Sequence, residues 1–576
     1  ADEGTNAAAW DHSLDLGPQG GPFAAAALGL EPDTFYYVRA LARNVAGDGW
    51  APNTETFMTP TSPPLNVVIN EIHYDPEPNT EKRSYIELYN AGTNAVDLSG
   101  WRFSDGVDFD FPLGSMIGAT SYLLIVEDSN DFAAAFPAVP IGGVFTNVLS
   151  NEGEEITLRD SQGDRVDNVD YRSEFPWPIG ALGTGRSMEL LHPSLDNDLA
   201  GSWRSASTLT PGAVNSVFTN NAPPQMRQVR HTPKVPAAGV GATITVKATD
   251  PHGVMDVRLA YQVVLPGSYL AAYIAKTTPD LLANPTNDLA PNPDFENPVN
   301  WTEVVMVDDG TGDNTYTVTL PPQINRTLVR YRITATDNLG ASVRVPYADD
   351  PSLNFAYFTY NGVPAYTADT DTLQGGGVPY VYPTNVMRSL PAYILITDSA
   401  DFDQCVGYNG ADQIPRNNYD ARSAFNWTGT FFYEDEVYDN IGYRLRQRNA
   451  RYSGNSKRSM RFRFNRGRYA EFRDLNGRKY PEKWRTLNTQ KCRGSRGNLN
   501  FGMPEISASV IWELYKVPAP RAHWMHFRVI QGADEAPAGA NGQYNGDFFG
   551  YYQAMEDYDK RFLDARGMDK GNLYKL

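Results

Sequence analysis

Cysteine is nearly absent: the chain has two in 576 residues, Cys405 and Cys492, both in its last third. A disulfide framework is therefore excluded as the source of the fold, and a chain this long can bury a sufficient core without one. The two residues are open to two readings, a single Cys405–Cys492 bridge or a pair of thiols. Long apolar runs are also missing. No stretch approaches the roughly 20 residues that a membrane-spanning helix needs, and no signal peptide is visible. Positive charge is scarce overall, with 49 Lys plus Arg against 68 Asp plus Glu and a net charge of −19. That balance, with no RNA or DNA motif beside it, argues against nucleic acid as a partner. Residue 1 is Ala1, and the first residues read as the middle of a domain. The chain is expected to be a piece of a longer protein, cut at both ends.

Aromatic residues are plentiful (33 Tyr, 26 Phe, 10 Trp), as are glycine and proline. This mix suits β-sandwiches joined by turns and argues against coiled coil or wholesale disorder. At about 150 residues per domain the length suggests about four domains.

The scarce positive charge is concentrated. Residues 441–500 carry 18 Arg plus Lys and 3 acidic residues, a local net charge of +15, which leaves −34 for the rest (−19 − 15). Such a segment in an acidic chain is built to meet anions. Ile441-Gly-Tyr-Arg-Leu-Arg446 alternates, placing Arg444 and Arg446 on one face of a strand. A small turn, Tyr452-Ser-Gly-Asn-Ser456, precedes a second strand in Lys457–Phe464. There Lys457, Ser459, Arg461 and Arg463 face one way, and Met460, Phe462 and Phe464 the other. Two strands and a Gly/Ser turn lined with cations can cradle phosphates, since the turn's N–H groups and the cationic tips both donate.

The remainder reads as strands and linkers. In residues 1–61, Phe35, Tyr37, Arg39 and Leu41 alternate with Tyr36, Val38, Ala40 and Ala42, which is strand spacing. The words "L-x-P-x-T-x-Y" and "A-x-N-x-x-G" here resemble part of a fibronectin type III module. Residues 65–218 hold short strands punctuated by Gly, Pro and Asn. Their words "INEI", "YIELYN", "DLSGW" and "EGEEITLRD" resemble a bacterial extracellular lamin-tail domain, which implies a β-sandwich. His73 and Asp75 read as surface polar residues at a strand end, not as metal ligands. Residues 222–361, with three alternating runs, resemble an immunoglobulin-like sandwich. They carry a Pro- and Asn-rich insertion over 265–300 in which a short helix is expected near Tyr269–Lys276. The turn containing Asp308, Asp309 and Asp313 is a calcium candidate, with a plain hairpin loop as the commoner reading. Residues 362–389 read as a linker. Residues 390–576 open on a buried strand over 390–397 and turn helical only after Pro504, over 506–515 and again over 549–565, which predicts an α+β domain.

Four ordered words in this last domain carry a further resemblance: "IGYRLRQRNARYSGNSKRSMRFRF", "DLNGRKYPEKWRTLN", "GDFFGYYQAMEDYDKRFLDARGMDK" and "GNLYK". They are similar to the spore-coat protein H (CotH) kinase family. The resemblance implies an atypical protein-kinase-like fold, ATP with Mg or Mn as cofactor, and phosphorylation of secreted or surface proteins by an exported bacterial protein. By the same resemblance Lys457 is the phosphate-binding lysine, Ser453 and the paired Arg444 and Arg446 line the nucleotide, and Glu556, at a helix start, pairs with Lys457 or positions metal. Gln447 departs from the family's glycine and Met460 from its aromatic. The family's catalytic carboxylates follow "GNLYK" and are expected beyond Leu576. The alternative is a structural or adhesive component of the cell surface, or of an extracellular assembly, whose kinase-like domain is not catalytic.

Overall fold

Strands carry this molecule, as the Val-, Ile-, Tyr- and Phe-rich runs between Gly, Pro and Asn require. The computed structural model describes residues 4–568 except 8–9, 19–29, 31–33, 45–46, 59–66, 78–80, 309, 311, 368–379, 407–423, 447–457, 493, 496–497, 500–501 and 537–545. The chain divides into two compact units, residues 1–173 with 180–222, and residues 174–179 with 223–576.

In the first unit, Phe35–Val38 pairs with Glu55–Met58, and Leu41–Asn44 with Gly47–Trp50, both antiparallel. Beyond them lies a six-stranded sheet in the order Ile141–Val144, Tyr122–Val126, Tyr85–Asn90, Val67–His73, Met188–Leu190, Trp203–Ser205. A four-stranded sheet runs Arg165–Arg172, Gly153–Arg159, Arg102–Asp105, Phe109–Asp110. All seven residues of Val67–His73 are buried, and this strand packs against Arg165–Arg172 of the other sheet. The backbone N–H of Ile69 donates to Asp167 across that contact at 2.6 Å. Burial pushes the Asp167 carboxyl up to about 7, against the pull of that bond and one from Asn197. His73 and Asp75 are inside rather than on the surface. His73 lies against the Tyr85 ring at 5.1 Å, and Asp75 accepts from Asn151 at 2.5 Å. The word "NEIHYD" is hydrophobic on average only at its apolar letters, yet a central strand buries both faces.

The second unit begins with a sandwich. One sheet runs Gln225–Thr232, Ala242–Thr249, Thr315–Leu320, Val307–Asp308. The other centres on Thr327–Asp337, which pairs with Val254–Val264 along one edge. Its other edge is shared between Phe355–Thr359 and Ser342–Val345. The insertion expected to hold a helix near 269–276 has strand Tyr273–Ile274 there, and the helix falls later, at Thr278–Ala283. Its start is chemically legible: Thr277 caps Asp280 N–H and Pro279 stands in the first turn. The 362–389 segment, expected as a linker, holds regular structure at its described residues. Tyr366–Thr367 pairs with Val381–Tyr382, and helix Thr384–Met387 buries Met387.

The last domain differs most from expectation. Seven strands close into a barrel: Ala392–Ile396, Trp427–Tyr433, Glu436–Leu445, Met460–Arg463, Thr486–Lys491, Phe548–Glu556, Ala522–Ile530, and back to the first. Only the closing pair, Ala392–Ile396 with Ala522–Ile530, is parallel. The interior is filled by rings, among them Phe431, Tyr443, Phe462, Phe527 and Tyr552. A helix precedes Pro504, at Ser399–Val406, and Met503–Leu514 is helical as expected. Phe548–Glu556 is a strand and not the start of a helix. It has partners on both edges, Thr486–Lys491 and Ala522–Ile530, and its aromatics suit a pleated surface. The helix starts only at Lys560, behind the cap Asp559. Cys405 and Cys492 do not form a disulfide.

Sandwich and barrel share one apolar cluster. Val264, Leu328, Ala356, Phe358 and Tyr360 of the sandwich meet Ile394, Ile396, Phe432, Val437 and Ile530 of the barrel. Beside it lies a buried ion pair: Arg330 Nε donates to Asp439 Oδ2 at 2.6 Å and Nη2 to Oδ1 at 3.1 Å. Both side chains are almost fully buried, at 0% and 2% exposure. Arg330 also donates to Gln262 and the Leu270 carbonyl, and its guanidinium lies over the Phe295 ring at 5.0 Å. Asp439 accepts further bonds from Thr430 and Asn354. Burial alone would raise the Asp439 carboxyl, but the Arg330 charge and these bonds hold it below its ordinary value. Its contribution to stability is thus present above the ordinary carboxylate range and is lost as pH falls through the lowered folded value. Removing one partner leaves a buried charge alone, at a cost of about 3–5 kcal/mol. Arg330→Met and Asp439→Asn are each expected to destabilise the second unit strongly, and the double variant by less than their sum. Urea denaturation of the four proteins checks this.

Candidate anion-binding face

The period of a strand sorts the basic segment. Tyr443, Leu445, Met460, Phe462 and Leu487 enter the barrel core. Their neighbours Arg444, Arg461 and Arg463 therefore point outward. Register then aligns them. Arg444 stands directly opposite Arg461, and Gly442 opposite Arg463. On the next strand Asn488 faces Arg461 and Thr486 faces Arg463. Arg446 lies on the same face, with Nη1 donating to Gln490 Oε1 at 3.0 Å.

Like charges directly opposite each other destabilise a sheet, and little here offsets them. Asp557 is a carboxylate at this face, and Asp559 lies close enough to feel Arg485. Asp557 accepts from Arg461 at 2.5 Å and from Asn488 at 2.8 Å. Arg444 and Arg463 make no hydrogen bond or ion pair among the described residues. The Arg444 guanidinium is pushed below its ordinary pKa by burial, then by Arg461 and Arg463. Arg463 is pushed down by burial and by Arg485, Arg461 and Arg466. Of these cations, Arg466 stands out in the sequence only as a member of the charge run, whereas Arg485 sits in the word "DLNGRKYPEKWRTLN" but carries no assigned role there. The donor set fits phosphate oxygens: forked guanidiniums on adjacent strands, short of carboxylates. It does not fit the metal of a metal–nucleotide, because Asp557 is already held by Arg461 and Asn488.

The remaining expected residues separate. Lys457 and Ser453 lie outside the described residues, so the Lys457–Glu556 pairing has no geometry here. Glu556 sits at the end of a strand rather than at a helix start. Arg566 holds both its oxygens, at 2.7 and 3.1 Å, and the Arg521 N–H donates to it at 3.0 Å. These bonds tie the 560–564 helix to the barrel. Of the calcium candidates, Asp308 accepts from Gly310 N–H and Asp313 from Thr315 N–H, each at 2.9 Å, within a hairpin turn. Asp309 lies outside the described residues. Among the described residues, Asp250, His252 and Asp337 do have metal-ligand spacing. There too the carboxylates serve turns: Asp250 accepts from His252 N–H, and Asp337 from the N–H groups of Leu339 and Ala341.

Among solved structures, a crystal structure of a Salmonella alpha-2-macroglobulin variant is 10% identical, covers 58% of this chain and 30% of its own, and has a TM-score of 0.17. The chain thus spans about a third of that protein's length, and the likeness is too slight to carry an argument. No curated protein matches the chain. Residues 60–173 match the family model of the lamin tail domain. That segment holds the strands from Val67–His73 to Arg165–Arg172, while Met188–Leu190 and Trp203–Ser205 complete the larger sheet beyond it. The sandwich of the first unit contains a lamin tail domain.

Proposed function

We propose that the chain is an exported, multidomain protein whose barrel domain binds the phosphates of a nucleotide on its arginine-lined outer face, as part of a kinase-like domain related to the spore-coat protein H kinases. The observation that carries this reading is the Arg444–Arg461 pair, set directly opposite and flanked by Arg463, with Asp557 bonded to Arg461. A fold that tolerates such repulsion gains by binding a polyanion there. Protein phosphorylation outside the cell is the activity this relationship implies, with secreted or surface proteins as substrates. A second reading is a surface or extracellular assembly component whose kinase-like domain is not catalytic. The engagement of Glu556 by Arg566 favours it, because that carboxylate is already spent on holding the barrel together.

Isothermal titration with ATP, in the presence and absence of Mg²⁺, tests the proposal. Binding is expected. Arg444→Gln and Arg463→Gln are each expected to weaken it about ten- to hundredfold, since a hydrogen bond to a charged group contributes about 1.5–3 kcal/mol. Absence of ATP binding by the parent protein, or variants that bind as tightly as it does, would leave the assembly reading. A stability measurement is independent of any ligand. Arg463→Gln is expected to melt at the same temperature as the parent or higher at low ionic strength. The gap should close as salt shortens the screening length to about 10 Å or less. A lower melting point would mean that Arg463 has a stabilising partner.

A further inference from the structure

Three glutamates in the lamin-tail unit have no part in the proposed function. Glu71, Glu87 and Glu189 lie on the adjacent strands Val67–His73, Tyr85–Asn90 and Met188–Leu190, and all three are at 0% exposure. No lysine or arginine bonds or pairs with any of them among the described residues. Arg204, opposite Glu189 on the edge strand, turns its Nη1 to the carbonyls of Gly201 and Trp203 instead. The neighbouring Tyr85 donates its hydroxyl to Glu71 at 2.5 Å, as does Ser187. The ring of His73 packs against Tyr85, and burial keeps that imidazole neutral, down at about 4. Tyr122 is the other titratable group that senses Glu87.

What covers the three carboxylates is a segment with no regular structure, residues 207–217. The Gly212 N–H donates to Glu87 Oε2 at 2.6 Å. The Thr210 hydroxyl donates to Glu189 Oε1 at 2.7 Å and lies 3.4 Å from Glu71 Oε2. The Ser216 hydroxyl and the Val217 N–H both reach Glu189 Oε2. Asn215 bonds Asn70, whose amide in turn donates to Glu87. Thr210 has one proton to give and stands between two carboxylates. With no cation near, the covered state keeps protons on part of this cluster, because three buried like charges would otherwise repel in a medium of low polarity.

We propose that Glu71, Glu87 and Glu189 form a proton-held latch, which fastens the 207–217 strap to the sheet while protonated and lets it lift, admitting water to the carboxylates, as pH rises. The sign follows from the raised acidities. Burial comes first, then the neighbouring carboxylates, and together they push Glu71 up to about 7 and Glu87 up to about 8, from 4.5. Closure therefore takes up protons. It is strongest below the ordinary glutamate range and weakens as pH passes through about 7 to 8.

Hydrogen exchange of the full chain, corrected for the intrinsic pH dependence, reads the latch at the Gly212 and Val217 amides. Their protection is expected to fall by up to about tenfold per pH unit for each proton taken up, and to fall more than that of Leu88 in the sheet beneath. Glu87→Gln and, separately, Glu71→Gln should flatten the fall, since a neutral amide cannot ionise. Strap protection that is constant with pH, or that falls only in step with Leu88, would overturn the proposal. So would a fall of undiminished slope in both variants.

Discussion

The Arg330–Asp439 pair fixes how sandwich and barrel combine, and most of the second unit's geometry depends on it. Two charges removed from water cost several kcal/mol each, and their attraction repays this only with good geometry and further hydrogen bonds. Both conditions are met: the contact is forked, and Gln262, the Leu270 carbonyl, Thr430 and Asn354 satisfy the remaining donors and acceptors. Such a pair adds little net stability. The favourable term comes from the apolar cluster beside it, where each side chain the size of Phe432 or Ile394 contributes about 1.5–3 kcal/mol on burial. The ion pair contributes registry, because any slip that separates it leaves a buried charge alone. A second set, Arg326 and Arg528 with Glu535 and Asp547, repeats the device along the same boundary.

That registry matters for the arginine face. Asp439 and Arg444 belong to the same strand, Glu436–Leu445. Its first half is buried against the sandwich through Val437 and Asp439. Its second half carries Arg444 on the outer face of the barrel. Between the halves a bulge at Asn440 (φ 54°) resets the alternation, so that Tyr438 and Ile441 both enter the barrel core, and the anchored first half with this bulge sets Tyr443 inward and Arg444 outward. The arginine row is a by-product of alternation only if the strand is held in register.

How much of this was legible in the sequence depended on whether a pattern was local. The opposed faces of 441–446 and 457–464 were readable from period alone, and the structure pairs the described parts of those strands antiparallel. The words "INEI" and "YIELYN" led to the lamin-tail sandwich. The run 549–565 misled, because Phe549, Tyr552 and Met555 fall at helical spacing while the edges that make it a strand come from residues 486–491 and 522–530, which are distant in sequence. Barrel closure is likewise a long-range fact. Glu556 belongs to a motif and its partner Arg566 is near in sequence, but the pair closes across the end of a strand, where the local pattern points to a helix. The three glutamates looked like strand residues with a polar alternate. Only the topology shows that they converge under one strap.

The central claim, that the outer barrel face takes phosphate, is tested most directly by following arginine Nε–Hε resonances while ATP is added. The account predicts that the signals of Arg444 and Arg463 move together and saturably, while that of Arg330, buried against Asp439, stays in place. Movement confined to other arginines, with Arg444 and Arg463 unchanged at saturating ATP, would contradict it.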